Sequence, residues 1–170
     1  MTRFKSHGRI YSVFLLLILV LSILLLTGCN QQTAYDISED LPTSDFTDAQ
    51  LEFFQDNIGR TEQDKQIVLY RNIEDSGKWA YVYTWSDDGQ PTYIRYLFCD
   101  DNDEYQNRYE EIRMNLYPCE TYDDSMVIQQ DMTSAYEVQD FFYEIGAENW
   151  QDLYDYITQS DAFSDYTLLT

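Results

Sequence analysis

Apolar positions change their spacing repeatedly along the chain, and each change marks a different kind of element. Val13 to Leu26 is an almost unbroken apolar run, interrupted only by Ser22. A polar stretch from Asn30 to Ser44 follows, and then Leu51, Phe54 and Ile58 recur at helical spacing. Thr47 and Gln50 have the spacing of a capping box, Phe46 and Leu51 occupy the flanking staple positions, and Gly59 offers a left-handed stop. Together these signals predict a helix over Asp48 to Ile58.

Beyond it the period becomes two. Gln66 to Ile73 alternates, with Ile67, Leu69 and Ile73 on one side of Val68 and Tyr70. Ser76-Gly77 marks a turn, Trp79 to Trp85 a second strand, Asp88-Gly89 a type I′ turn and Thr92 to Cys99 a third strand. A two-residue loop of Asp88 and Gly89 sets Trp85 opposite Thr92, Tyr83 opposite Ile94, Tyr81 opposite Tyr96 and Trp79 opposite Phe98. In that register Trp79, Tyr81, Tyr83 and Trp85 share a core-facing sheet surface with Ile94, Tyr96 and Phe98. If no helix covers them, the same four rings form a stacking platform for a sugar or peptide.

Asp100 to Arg108 reads as a polar loop. Glu111 to Tyr117 alternates through Ile112, Met114 and Leu116 as a fourth strand, while Tyr109, Ile112 and Leu116 fit a helix nearly as well, so both assignments stay open. Met126 to Gln130 is a short fifth strand. Ser134 with Glu137 opens a helix whose stripe is Val138, Phe141, Phe142 and Ile145, stopped by Gly146, and Trp150, Leu153, Tyr154 and Ile157 repeat the spacing in another. The last ten residues carry no stripe and are expected to fray. The resulting layout is a leader over 1–28, a flexible tether over 29–45, one α+β domain over 46–160 and a frayed tail over 161–170. The expected architecture is an antiparallel sheet of four to five strands, with an N-terminal helix and one or two C-terminal helices packed on one face.

The leader decides where this domain works. Arg3, Lys5 and Arg9 precede the apolar run, as in a signal peptide. Its ending, Leu26-Thr27-Gly28-Cys29, resembles the lipobox of bacterial lipoproteins. That resemblance implies diacylglycerol transfer to the Cys29 thiol and cleavage just before it. Two acyl chains hold a protein stably on a bilayer, because each buried CH₂ contributes about 0.8 kcal/mol. The alternative is an uncleaved spanning helix, since Ile10 to Leu26 approaches the roughly 17 to 25 apolar residues required. Both readings put the domain on the extracytoplasmic face of the cell membrane, because no Lys or Arg follows the run until Arg60.

Between Leu51 and Asp124 the order of elements is similar to small uncharacterised lipoproteins of Gram-positive bacteria. Phe53-Phe54 with Asn57-Ile58-Gly59, Ile67-Val68-Leu69-Tyr70, the Tyr-rich stretch Tyr81 to Trp85, and Cys119 carry the likeness. It implies an envelope-tethered domain and supplies no catalytic residues. Where such proteins are basic or neutral, this chain is strongly acidic.

Three of the ten basic residues lie before Cys29, which leaves seven against 31 acidic residues, a formal charge of −24. A field of that sign repels phosphate backbones and disfavours nucleic acid. It attracts a cationic protein or peptide of the envelope, and divalent ions. The single histidine, His7, lies in the leader, so the mature chain has no imidazole for a Ser-His-Asp triad, a Cys-His pair or a His-ligated metal site. No cofactor is implied. Carboxylate-pair hydrolysis of a glycan survives as an alternative, although 31 acids single out no pair.

Asp100, Asn102, Glu104 and Glu111 fall at positions 1, 3, 5 and 12 of an EF-hand-like count, a candidate cation site. Position 6 is Tyr105 where the sharp turn requires glycine, and a solvated loop explains the same residues. Cys99 and Cys119 sit in a compartment that permits disulfides. A bridge would close a loop of about 20 residues and stabilise by roughly 3 kcal/mol if unstrained. A simple hairpin would hold the two about 30 Å apart, so pairing depends on the crossover. Together these features imply a lipid-anchored, non-catalytic binding or accessory module of the envelope, with a cation-responsive module and a glycan hydrolase as alternatives.

Overall fold

Residues 41–59, 65–86, 89–115 and 117–169 are described by the computed structural model. The leader, Cys29, most of the tether, Asp88 and Leu116 lie outside the described residues.

Helix α1 (Asp48–Asn57) begins as its sequence dictates: Thr47 Oγ1 accepts the Gln50 N–H at 3.3 Å while Gln50 Oε1 accepts the Thr47 N–H at 3.2 Å. Gln50 is fully buried, and its Nε2 donates to the Cys99 carbonyl at 2.8 Å, which ties the helix start to the sheet. The stop at Gly59 is steric rather than left-handed, since a Cβ there would lie 2.3 Å from the Gln55 carbonyl oxygen.

Strand β1 (Gln66–Ile73) pairs with β2 (Gly77–Trp85), and β2 with β3 (Pro91–Phe98), all antiparallel. The β2–β3 register differs by one residue from the expected one: Trp85 faces Pro91, Tyr83 faces Tyr93, Tyr81 faces Arg95 and Trp79 faces Leu97. The cause is the turn. Ser86 is joined across the turn to Gly89 and Gln90, with Ser86 Oγ donating to the Gln90 carbonyl at 2.7 Å and the Gly89 N–H donating to the Ser86 carbonyl at 3.0 Å. Because side chains alternate with period two, this slip sends Ile94, Tyr96 and Phe98 to the face opposite the aromatic row.

Next comes a helix, α2 (Asn102–Arg113), which replaces the loop expected over Asp100 to Arg108 and takes the helical of the two open assignments as far as Arg113. Asp101 caps it by accepting the Glu104 N–H at 2.8 Å, and Tyr105 and Ile112 bury on its inner side. Strands β4 (Cys119–Tyr122) and β5 (Val127–Asp131) form a hairpin whose second strand joins β3. Helix α3 (Tyr136–Ile145) starts after Ala135 with no side-chain cap, so it is not Ser134 with Glu137 that opens it, and it ends at Gly146 with φ 64°. Asn149 caps α4 (Trp150–Gln159) by accepting two N–H groups. The segment expected to fray forms β6 (Thr167–Leu169) on β1.

The sheet therefore has six antiparallel strands in the order β4-β5-β3-β2-β1-β6. Nor do the helices share one face. Phe53, Phe54 and Ile58 of α1 and its C-cap pack on Val68, Tyr70, Ala80, Val82, Tyr96 and Phe98. Leu153 and Ile157 of α4, with Phe141 and Phe142 of α3, pack on Ile67, Leu69, Tyr83 and Trp85 of the other face. Tyr105 and Ile112 of α2 cover Leu97, Cys99 and Ile128 on that same second face. The domain also starts earlier than position 46: Leu41 is 5% exposed within the α1 core, and a 3₁₀ turn spans Thr43–Asp45. The Asp45 carboxylate accepts from Tyr70 Oη at 2.9 Å and Asn72 Nδ2 at 3.2 Å. Among the described residues no helix is long and apolar enough to cross a membrane.

Candidate functional site

Cys99 and Cys119 are both free thiols. Cys99 is level with Met126, the residue before β5, whereas Cys119 faces Gln130 of β5. Four residues along the strand and two strand spacings across separate them by about 13 Å and about 10 Å, against the roughly 7 Å that a disulfide tolerates between Cα atoms. Burial pushes the Cys99 thiol up to about 12, with the nearby Glu104 acting in the same direction, and burial also raises Cys119.

The four EF-hand-like residues are not brought together. Asn102 and Glu111 stand nine helical steps apart on α2, about 14 Å along its axis. Asp100 is occupied by Lys78 Nζ at 2.5 Å, Glu104 accepts the Asp100 N–H at 2.7 Å, and Glu111 pairs with Arg108 at 3.2 Å. Among the described residues no group of three or more His, Cys, Asp or Glu side chains is placed to hold a metal ion. A cleft of about 350 Å³ lies beside Leu69, Ile157, Phe163, Tyr166 and Leu168, and the one acid lining it is Asp161, where carboxylate-pair hydrolysis needs two.

Two surfaces remain with a definite chemical character. The first is the outer side of α3 and α4. No basic residue occurs after Arg113, so the last 57 positions carry twelve acids and no positive charge. Glu137, Glu144, Glu148, Asp152 and Asp155 are exposed around these two helices. Tyr143 and Tyr136 stand among them at 86% and 72% exposure. Glu144 sits in the last turn of α3, at the negative end of the helix dipole, and Asp140 lies four residues before it. Like charges at that spacing are destabilising by about 0.2–0.5 kcal/mol per pair.

The second surface is a strip of the sheet between the patch under α2 and the patch under α3 and α4. Arg71, Trp79, Tyr81, Tyr93 and Arg95 lie here half-buried, with Tyr166 from the turn before β6. The rings are stacked side by side: Trp79 on Tyr81 at 6.2 Å, Tyr81 on Tyr93 at 6.4 Å, Tyr93 on Tyr83 at 4.6 Å. Arg95 lies over Trp79 at 5.1 Å and Arg71 over Tyr166 at 5.1 Å. Ring faces are thus taken by neighbours, so the aromatic row does not offer the open platform that sugar stacking requires.

Arg95 Nε and Nη2 both donate to Gln130 Oε1, at 2.8 Å and 2.5 Å. Gln130 is 1% exposed, and its Nε2 is buried without an acceptor. Rotating the amide would set donors against donors. The arrangement therefore holds Arg95 at the cost of a buried, unmet N–H, about 1–3 kcal/mol. Burial pushes Tyr81 up to about 12, with Tyr166 reinforcing and Arg95 and Arg71 opposing, so the phenol stays a neutral donor through the physiological range.

Sequence reasoning missed Arg95, Gln130, Arg71 and Tyr166. The alternation of β3 was sufficient to find Arg95, had the turn length been right. Searches against protein-family models, curated proteins and solved structures find no match to this chain.

Proposed function

We propose that this chain is a lipid-anchored, non-catalytic binding module of the extracytoplasmic cell envelope, whose acidic C-terminal helices dock a cationic protein or peptide. The lipobox-like Leu26-Thr27-Gly28-Cys29 supports the location, and Cys29 is the proposed lipidation site. One observation carries the binding reading: exposed acids and tyrosines of α3 and α4 with no positive residue among them. Such a surface is held together against its own repulsion, and a cationic partner would relieve that repulsion on contact. Tyrosine supplies contact area at low entropic cost beside those charges.

The test uses the full chain in detergent, titrated with an oligolysine peptide, beside the variant E137Q/E144Q/E148Q/D152N/D155N. The expected result is binding that weakens steeply between about 50 mM and about 500 mM salt, with the variant at least roughly tenfold weaker. Salt-independent binding, or a variant that binds like the wild type, would overturn the reading. The location has its own check: the native chain should begin at an acylated Cys29, and a water-soluble chain beginning at Met1 would refute the anchor.

A further inference from the structure

Arg95 is a cation without a carboxylate partner among the described residues. Arg71, Lys78, Arg108 and Arg113 each hold a carboxylate. Arg95 holds none among the described residues, although acids outnumber basic residues 31 to 10 in the chain. Its guanidinium is nevertheless fixed. Gln130 takes Nε and Nη2 from one side, and the Trp79 ring backs its plane. What remains is the end of the fork, where Nη1 makes no hydrogen bond among the described residues.

We propose that Arg95 anchors a binding site for a small monocarboxylate, with Tyr81 as a neutral hydrogen-bond donor beside it and Gln130 as the residue that positions the guanidinium. The two coplanar oxygens of a carboxylate match the Nη1–Nη2 end of the fork. Tyr81 is the direct cross-strand neighbour of Arg95. A single negative charge is the form this chain tolerates, because its field of −24 opposes every additional charge on a ligand. Gln130 explains itself in the same way: a buried amide that leaves its own N–H unmet makes sense as the support of a preorganised guanidinium. Arg71, on the same strip, pairs with Asp165 at 3.4 Å, so among the described residues of the strip Arg95 is the cation left for an incoming anion. The site lies on the sheet, apart from the exposed acids of α3 and α4, and does not rest on the cationic-partner reading.

The carboxylate has two natural sources, an acidic sugar and an amino-acid or peptide end, and the probes separate them. The Arg95 Nε–H resonance is followed in the full chain in detergent during titration with glucuronate, N-acetylalanine, inorganic phosphate and glucose. The expected result is a saturable shift with at least one carboxylate and none with glucose, the source being the probe that saturates at lower concentration. Arg95→Lys, followed through the indole N–H resonance of Trp79 beside it in both proteins, should weaken that binding by roughly tenfold or more, about 1.4 kcal/mol. Gln130→Glu should weaken it by roughly tenfold or more without lowering the melting temperature, because an internal carboxylate on the Nε–Nη2 side then neutralises the guanidinium while leaving the end of its fork open. No shift with either carboxylate, saturation by phosphate at lower concentration than both, or a Gln130→Glu variant that responds like the wild type would overturn the proposal.

Discussion

Lys78 carries the most deeply buried charge among the described residues, at 4% exposure. Its Nζ donates to the Asp45 carbonyl at 2.6 Å and to Asp100 Oδ1 at 2.5 Å, and it stands 5.5 Å from the centre of the Phe46 ring. The two acceptors are not equivalent. The Asp100 side chain is 76% exposed, so water competes for it, whereas the carbonyl belongs to the turn that seals the end of the α1 core. Lys78→Met should therefore cost about 2–3 kcal/mol by leaving that carbonyl without its buried donor, while Asp100→Asn should cost less than about 1 kcal/mol. Urea unfolding of the two variants decides it. Equal losses would mean that the ion pair, and not the carbonyl bond, holds the lysine.

At the scale of elements, the informative strand is β6, three residues long. Leu169 is 1% exposed in the α1 core, while Leu168 and Tyr166 pack into the core of the opposite face, so this strand closes both cores at one sheet edge. Leu169→Ala should cost about 2–4 kcal/mol in equilibrium unfolding, the range for emptying a buried leucine site. A frayed tail would give no change. Three residues show no periodicity, and the pairing with Val68 to Tyr70 bridges about a hundred positions, so nothing local announces it. Helix α1 was legible for the opposite reason, since its capping box and stripe lie within a dozen residues. Helix α2 carries both periods at once, and its burial of Tyr105 and Ile112 on the sheet is a tertiary matter. The candidate sites divide similarly. The acidic character of α3 and α4 is visible in composition, but Arg95 was hidden by the assumed two-residue turn, which moved it to the wrong face together with every other side chain of β3.

The whole molecule combines a large negative charge with a dense set of buried phenols, and the two act together at high pH. Burial pushes Tyr81 and Tyr96 up to about 12, and Tyr70, Tyr83 and Tyr93 are raised as well. In the unfolded chain these groups ionise near about 10. Between those values the native state retains protons that the unfolded state has lost, so unfolding releases protons and stability falls as pH rises. The contribution is complete below about pH 10 and is lost towards about pH 12, with the buried Cys99 thiol starting the decline from about pH 9. Each phenolate formed also adds to a chain that already repels itself, which steepens the loss. Urea midpoints measured from about pH 8 to about pH 11.5 at constant high salt should stay level to about pH 9 and then drop. In the double variant Tyr81→Phe/Tyr96→Phe the drop should be shallower, because two titrating groups are gone while their rings remain packed. A midpoint that stays level to about pH 11.5 would show that the buried hydroxyls do not couple to folding, and that the tyrosine-rich sheet draws its stability from ring packing alone.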